Sequence, residues 1–242
     1  MRGLLVLVLL LGACQRAAPT GPPATLGGLA YVVEVTGGAD PALELPLVVA
    51  VHRMGSTPQH FSGLYAKFDG KARIVLPEAP EPRGKGFSWF PYRVGENDPP
   101  GLALRITSAE FRLMDFLNTA DDAWPTTGKP VLTGFSQGGM LSYAVSALHP
   151  DLISAALPVG GLLPAPFAIP ATGGAPRPPI RAFHGEADDV VSVDGARDTV
   201  RRFQEAGYDA SIATFPQIPH SVGGDLAQEY FVALREALPS QP

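Results

Sequence analysis

The stretch VLTGFSQGGML, residues 131–141, surrounds one serine with three glycines directly after a short apolar run. Gly134, Ser136 and Gly138 fit the pattern G-x-S-x-G, which places a nucleophilic serine on a tight turn between a strand and a helix. The two glycines remove side chains that would collide with neighbouring backbone, and Gly139 lets the helix start close to the sheet. The pattern therefore predicts that Ser136 is a nucleophile held at the edge of a sheet.

Apolar runs on both sides of this turn predict the strands of that sheet. Continuous runs of this kind suit strands that are buried on both faces, as in a parallel sheet. They occupy residues 29–35, 45–52, 72–77, 129–135, 154–160, 179–184 and 210–216. Because helix-like segments lie between them, the alternation predicts one α/β domain over residues 29–242, with a mostly parallel central sheet flanked by helices.

Three of the predicted helices have recognisable patterns. Thr107 and Glu110 can form a capping box, which predicts a helix start at this point, and Phe111, Met114 and Leu117 then repeat at helical spacing. Apolar stripes over residues 192–207 and 225–238 predict two further helices later in the chain.

Two stretches interrupt the alternation and carry aromatic side chains. Residues 78–101 and 161–179 are rich in proline and glycine, and they contain Trp89, Phe90 and Phe167. Because large aromatic side chains are costly in plain solvated loops, these three are predicted to line a substrate pocket above the sheet. The second stretch is too short for a large helical cap, so only a minimal lid is expected.

The N-terminal residues have the features of an export signal. Arg2 precedes an apolar run that is far shorter than the roughly 20 residues of a membrane span, and small residues follow it. Residues 1–13 are therefore predicted to be a signal peptide. The order LGAC at residues 11–14 resembles the bacterial lipoprotein box, which implies that Cys14 is lipidated and anchors the exported protein to a bacterial membrane.

The cysteine count agrees with this interpretation. Cys14 is the only cysteine of the chain, which excludes an internal disulfide and a catalytic cysteine in the folded body. Residues 14–28 are rich in proline, glycine and alanine without periodicity, and are predicted to be a flexible tether.

Composition excludes some classes of protein. The chain has 242 residues, of which 45% are hydrophobic, enough for one sizeable core. Its net charge is −5 and it has no basic run, which argues against nucleic-acid binding. No cluster of side chains suggests a metal ion or an organic cofactor, and none is expected.

A serine nucleophile needs a base, because a hydroxyl barely ionises at neutral pH. Five histidines are available: His52, His60, His149, His184 and His220. His149 and His184 are most simply structural, His60 has no supporting pattern, and His52 could shape the oxyanion loop at the end of an early strand. The chain order serine, acid, histidine, which accompanies G-x-S-x-G turns, selects His220 as the base.

The acid that orients this histidine is expected after the strand that ends near residue 184. The segment HGEADDVV, residues 184–191, offers Glu186, Asp188 and Asp189. At least one of them is predicted to orient the imidazole and stabilise its charged form.

Three segments together resemble the acyl-protein thioesterase and carboxylesterase (lysophospholipase-like) family of α/β hydrolases. They are GFSQGGML at 134–141, HGEADDVV at 184–191 and PHS at 219–221. The resemblance implies an α/β-hydrolase fold in which Ser136 is the nucleophile, Asp188 the acid and His220 the base.

The same resemblance implies an oxyanion hole and an acyl pocket. The segment HRMGS at residues 52–56 is similar to the oxyanion loop of the family, which implies that the backbone amides of Met54 and Gln137 bind the oxyanion. The segment around Trp89 and Phe90 resembles one that lies near the acyl pocket of the family. Arg53 departs from the pattern, because a glycine is expected there. Glu186 in place of aspartate and Asp189 in place of proline are further departures.

These observations predict a serine hydrolase that cleaves carboxylic esters or thioesters of small acyl substrates without a cofactor. A peptidase that uses the same three side chains is one alternative, since fold and triad do not set the leaving group. A surface lipoprotein that binds ligands in a non-catalytic pocket is the other.

Overall fold

The computed structural model describes residues 25–92 and 96–239, and a central sheet of eight strands runs through this part of the chain. Its strands are β1 (Thr25–Leu26), β2 (Leu29–Val35), β3 (Leu47–Val51), β4 (Arg73–Pro77), β7 (Val131–Phe135), β8 (Ala155–Val159), β9 (Ile180–Gly185) and β10 (Ala210–Phe215). A separate hairpin consists of β5 (Glu81–Arg83) and β6 (Gly86–Ser88). The order across the sheet is β1-β2-β4-β3-β7-β8-β9-β10.

The sheet is mostly parallel, as predicted. Only β1 and β2, at one edge, pair antiparallel to their neighbours, while the pairs from β4 to β10 are parallel. Every residue of β3, β4, β7 and β8 is buried, which is why these strands are visible in the sequence as continuous apolar runs. All seven predicted strands are confirmed.

Helices cover both faces of the sheet. They are α1 (Pro58–Ser62), α2 (Pro99–Ala123), α3 (Gln137–Leu148), α4 (Val193–Glu205) and α5 (Gly224–Ala237). Successive side chains of a strand point to opposite faces, so Val49 and Val51 pack with α2, α3 and α4, whereas Val48 and Ala50 pack with α1 and α5. The helices predicted at 192–207 and 225–238 are confirmed as α4 and α5.

Helix α2 begins well before the predicted capping box, so that prediction was wrong. Asp98 is the N-cap, and its Oδ1 accepts a hydrogen bond from the Gly101 amide at 3.0 Å. Thr107 lies inside the helix and donates to the Ala103 carbonyl, and Phe111 is 60% exposed. The cause is the pair of prolines that follows Asp98, because proline is well tolerated in a first helical turn.

The described part of the chain begins inside the predicted tether. Thr25 and Leu26 pair with β2 through a turn at Gly27 and Gly28, both at positive φ. A Cβ at Gly27 would lie 2.5 Å from the Phe116 backbone nitrogen, so this hairpin packs directly against α2. The predicted signal peptide (1–13), Cys14 and the tether as far as residue 24 lie outside the described residues.

The long connection between β8 and β9 contains neither a helix nor a strand, which agrees with a minimal lid. The other Pro-rich stretch forms the β5–β6 hairpin and the first turn of α2. Among the described residues, none of the helices combines the length and the hydropathy that a membrane span requires.

Glu110 is a buried carboxyl group in this core. It lies on α2 with 2% of its surface exposed, and its Oε1 is 3.4 Å from His149 Nε2 at the end of α3. Burial raises the pKa of Glu110 from its ordinary value of 4.5 to about 7. The folded protein therefore holds this proton more tightly than the unfolded chain does, so ionisation of Glu110 lowers the free energy of unfolding as pH rises from about 4.5 to 7.

We expect Glu110→Gln to be stabilising at pH 8 and close to neutral at pH 5, because the amide mimics the protonated carboxyl group. At pH 8, the free energy of unfolding of Glu110→Gln should exceed that of the wild type by about 2–3 kcal/mol. Urea unfolding at the two pH values measures it, with Glu229→Gln on the exposed side of α5 as the control. Equal stability changes at pH 5 and pH 8 would contradict this assignment.

Candidate active site

Ser136 lies on the turn between β7 and α3 in a strained conformation. Its φ is 59° and its ψ is −114°, a region that residues other than glycine seldom adopt. A Cβ at Gly134 would lie 2.6 Å from the Gly138 carbonyl carbon, and one at Gly138 would collide with the Val51 carbonyl oxygen. The predicted reason for these two glycines is thereby confirmed, because only glycine allows this close approach.

The start of α3 also lies close to the neighbouring strand β8. A Cβ at Gly139 would be 2.6 Å from the Val159 carbonyl oxygen, and the Ser136 amide donates to that same oxygen at 2.9 Å. The sheet therefore fixes the backbone on both sides of the serine.

Three side chains from separate loops form a hydrogen-bonded chain at the carboxyl edge of the sheet. His220 Nε2 is 2.9 Å from Ser136 Oγ, and His220 Nδ1 is 2.6 Å from Asp188 Oδ2. A carboxylate only accepts, so Nδ1 carries the proton and Nε2 is free to accept from the serine hydroxyl. This is the arrangement in which a histidine can remove a proton from a hydroxyl.

Of the three acidic side chains after β9, Asp188 is the one that reaches His220. Glu186 instead accepts hydrogen bonds from Arg197 and Thr214, both at 2.8 Å, and Asp189 is exposed. The tight turn of this loop gives neighbouring residues different directions, which the sequence alone does not reveal.

The Asp188 carboxylate is buried and fully hydrogen-bonded, with its side chain 1% exposed. Burial alone would raise its pKa, but the hydrogen bonds that it accepts outweigh burial and lower the pKa below its ordinary value. The donors are His184, His220, Val191 and Val190. Asp188 is therefore ionised over the pH range in which an enzyme works.

The loop after β10 holds His220 in place. Gln217 lies at a positive φ of 62°, and the Ile218 carbonyl accepts from the Ala187 amide at 3.1 Å, which joins this loop to the one that carries Asp188. The ring of Phe135 packs against the imidazole with a centroid distance of 4.7 Å. The His220 side chain is 14% exposed, so solvent reaches it only in part.

The two amides predicted for the oxyanion hole belong to adjacent segments of the same edge. Strands β3 and β7 pair in parallel with Val51 opposite Gly134, so the loop with Met54 and the turn with Gln137 leave the sheet side by side. Within the described residues, neither amide donates to a backbone carbonyl. Both N–H groups are thus available to an acyl oxygen.

Gln137 also connects the serine turn to the segment before α2. Its side chain is 3% exposed; Oε1 accepts from Ser88 Oγ at 3.1 Å and from the Trp89 amide at 3.0 Å, and Nε2 donates to the Phe90 carbonyl at 2.9 Å. This role was not predicted, since it joins segments far apart in the sequence.

The three aromatic side chains predicted to line a pocket are buried in the main core. Trp89, Phe90 and Phe167 are 2%, 3% and 5% exposed, and Trp89 donates through Nε1 to the His52 carbonyl at 3.0 Å. Trp89 and Phe90 also line a cleft of about 330 Å³ against α2. Packing over the helices alone explains their presence in Pro-rich loops, so their assignment to substrate contact stays a prediction.

His52 shapes the loop that carries Met54. It is fully buried, its Nδ1 lies 2.8 Å from the Arg53 carbonyl, and its Nε2 accepts from the Ala79 amide at 3.1 Å. Burial lowers the pKa of His52 to about 4, so its imidazole is neutral with the proton on Nδ1. The Arg53 side chain is exposed and lies 3.5 Å from the Met54 carbonyl.

In residues 25–92 and 96–239, no three acidic or histidine side chains are grouped so as to hold a metal ion.

Sequence comparisons relate this chain to known proteins. A family model described as phospholipase/carboxylesterase matches residues 43–231. An acyl-protein thioesterase 1 of Gibberella zeae is 24% identical over 212 residues, 79% of this chain and 90% of the relative. A rice protein (Oryza sativa subsp. japonica) described as a "probable inactive carboxylesterase" is 29% identical over 194 residues, 72% of this chain and 78% of the relative.

Solved structures share the fold over most of their length. Esterase PE8 matches with a TM-score of 0.74 at 24% identity, over 87% of this chain and 99% of the other. Acyl-protein thioesterase 2 of Zea mays matches with a TM-score of 0.69 at 18% identity, over 86% of this chain and 98% of the other.

Proposed function

This chain belongs to the phospholipase/carboxylesterase family of α/β hydrolases and is a carboxylic ester hydrolase, and we propose that it acts through an acyl-enzyme on Ser136. The observation that carries the proposal is the unbroken hydrogen-bonded chain from Asp188 through His220 to Ser136. Acyl transfer needs a nucleophile, a base and a group that orients the base. Here the serine hydroxyl contacts one nitrogen of the histidine, and the carboxylate contacts the other nitrogen.

In the proposed first half-reaction, His220 Nε2 removes the hydroxyl proton while Ser136 Oγ bonds to the acyl carbon. The carbonyl oxygen becomes an oxyanion, which the Met54 and Gln137 amides stabilise by about 2.7–4 kcal/mol per donor. When the tetrahedral intermediate collapses, the bond to the leaving alkoxide or thiolate breaks and His220 returns the proton to it.

In the second half-reaction, water replaces the alcohol. His220 removes a proton from the water as its oxygen attacks the acyl carbon, and the proton then passes to Ser136 Oγ as the acid departs. Asp188 remains ionised throughout and holds the imidazole with its proton on Nδ1.

A panel of p-nitrophenyl esters, thioesters and peptide amides of graded length tests this proposal. We expect hydrolysis of esters or thioesters with short or medium acyl chains, since the connection after β8 builds no large cap. Faster cleavage of the amides would favour a peptidase. No turnover at all would favour the second candidate, a ligand-binding surface protein, which is worth testing because the rice relative is described as a "probable inactive carboxylesterase".

We further propose that Cys14 is lipidated and that the mature enzyme is exported and held on a bacterial membrane through the segment before Thr25. The support is sequence alone: one cysteine in the whole chain, placed in LGAC directly after a signal-like apolar run. The ten residues between Cys14 and Thr25 reach at most about 36 Å, so the domain would stay close to the bilayer.

Cys14→Ser should move the protein from the membrane fraction to the soluble fraction without changing its specific activity. Fractionation of a bacterial expression host, followed by ester hydrolysis in each fraction, measures both quantities. A Cys14→Ser variant that still sediments with membranes would show that another segment holds the protein there.

A further inference from the structure

A second histidine contacts the carboxylate of the candidate triad. His184 is the fifth residue of β9 and is 1% exposed. Its Nε2 lies 3.2 Å from Asp188 Oδ2, the same oxygen that contacts His220 Nδ1, and 2.9 Å from the Val191 carbonyl oxygen. The proposed mechanism gives this imidazole no task.

The position of the proton on His184 follows from its two neighbours. Nε2 faces a carbonyl oxygen and a carboxylate oxygen, both of which only accept. A bare nitrogen lone pair would be repelled by both atoms, so Nε2 carries a hydrogen and shares it between Val191 and Asp188.

This contact completes the set of donors around the carboxylate. Asp188 Oδ1 accepts from the Val190 amide at 2.9 Å and the Val191 amide at 2.8 Å, while Oδ2 is approached by the two imidazoles. An ionised carboxylate has about four acceptor positions, so none is left for another donor. With its side chain 1% exposed, Asp188 has one orientation available.

His184 is itself held by the sheet. It pairs with Thr214 of β10, and its neighbour Phe183 pairs with Val159 of β8. A donor on a strand that pairs on both sides is a more rigid support than one on a loop. The His184 Nε2 hydrogen is also donated to the Val191 carbonyl, which holds the loop from Gly185 to Val191 around the carboxylate.

We infer that His184 is a positioning residue, whose buried imidazole fixes the Asp188 carboxylate that orients His220. The inference rests on the proposed function, because orientation of His220 matters only if it is the base.

Two variants separate the hydrogen bond from the space that the ring fills. His184→Gln places an amide N–H near the position of Nε2, whereas His184→Leu fills part of the space without a donor. We expect His184→Leu to lower kcat by about 10- to 100-fold, the loss of one hydrogen bond to a charged group, with little change in KM. His184→Gln should keep most of the wild-type kcat.

The pH profile distinguishes positioning from a merely structural role. If His184 holds the carboxylate against His220, its loss weakens that contact, the imidazolium is stabilised less, and the acid limb of kcat/KM moves to lower pH in His184→Leu but not in His184→Gln. If the ring only filled space in the core, its loss would lower the free energy of unfolding and leave the acid limb in place. Charged groups near this strand end include Arg197, which pairs with Glu186 and Asp194, and the exposed Asp189. None of them changes in these variants.

¹⁵N-histidine NMR of the wild-type protein tests the inference without substrate or substitution. If His184 donates to Asp188, its proton lies on Nε2; a proton on Nδ1 would overturn the inference. An acid limb that is unmoved in folded His184→Leu, or that moves equally in His184→Gln, would overturn it as well. Because each effect is a ratio to wild type, or a spectrum, a wild type inactive on esters would be recognised separately as failure of the proposed function.

Discussion

Ser136→Ala should abolish ester hydrolysis, with kcat reduced by about 10⁶-fold. The substitution removes the only oxygen that His220 Nε2 contacts in the hydrogen-bonded chain, while the glycines on either side keep the backbone in the same tight turn. The variant should retain only the slow rate that the oxyanion-hole amides support when no nucleophile is present. The ester that is cleaved fastest by the wild type is the substrate for this measurement.

Ser221→Ala provides the matched control, since Ser221 is exposed and directly follows His220 in the chain. It should keep the wild-type kcat. If Ser136→Ala retained a substantial part of the activity after purification from wild-type contamination, another group would have to be the nucleophile.

Asp188→Asn should have the second largest effect, with kcat reduced by about 10⁴-fold in a folded protein. An amide in place of the carboxylate no longer selects the imidazole with its proton on Nδ1, and it cannot stabilise the imidazolium that forms in the transition state. The loss should appear in kcat more than in KM, because Asp188 is buried and contacts the base instead of the substrate.

The neighbouring acids give two controls for this prediction. Asp189→Asn changes an exposed side chain, and Glu186→Gln changes one that pairs with Arg197. Both should keep nearly normal rates. If Asp189→Asn lost its activity while Asp188→Asn remained active, the carboxylate that orients His220 would be that of Asp189.

The sheet and the serine turn could be predicted because their requirements are local. A strand buried on both faces needs a continuous apolar run, and residues 131–135 show it within five positions. The glycines at 134 and 138 are dictated by contacts within that turn and with Val51 of the next strand. The spacing alone left Glu186, Asp188 and Asp189 as candidates for the acid that orients His220. The family resemblance selected Asp188.

The start of α2 could not be predicted from a capping pattern, because the same pattern also occurs inside helices. Thr107 and Glu110 have the spacing of a capping box, yet Glu110 faces the core and Asp98 caps the helix two turns earlier. Two possible helix starts were present in the sequence, the capping-box spacing at Thr107 and Asp98 followed by two prolines. The burial of Glu110 in the core decides between them, and this burial cannot be read from the sequence.

The contacts of the supporting histidines could not be predicted for a related reason, although His52 was expected to shape the oxyanion loop. His52 and His184 each contact groups that the fold brings together, such as the Ala79 amide and the Asp188 carboxylate. A single buried histidine has no spacing pattern of its own, so its partners become visible only once the strands are placed in the sheet.

Covalent labelling reports which side chain of the protein is the nucleophile, and we expect it to be Ser136. A fluorophosphonate probe should add to the wild type at one equivalent, and peptide mapping by mass spectrometry should locate the adduct on Ser136. Ser136→Ala should remain unlabelled under the same conditions. An adduct on any other residue of the wild type, or persistent labelling of Ser136→Ala, would contradict the account.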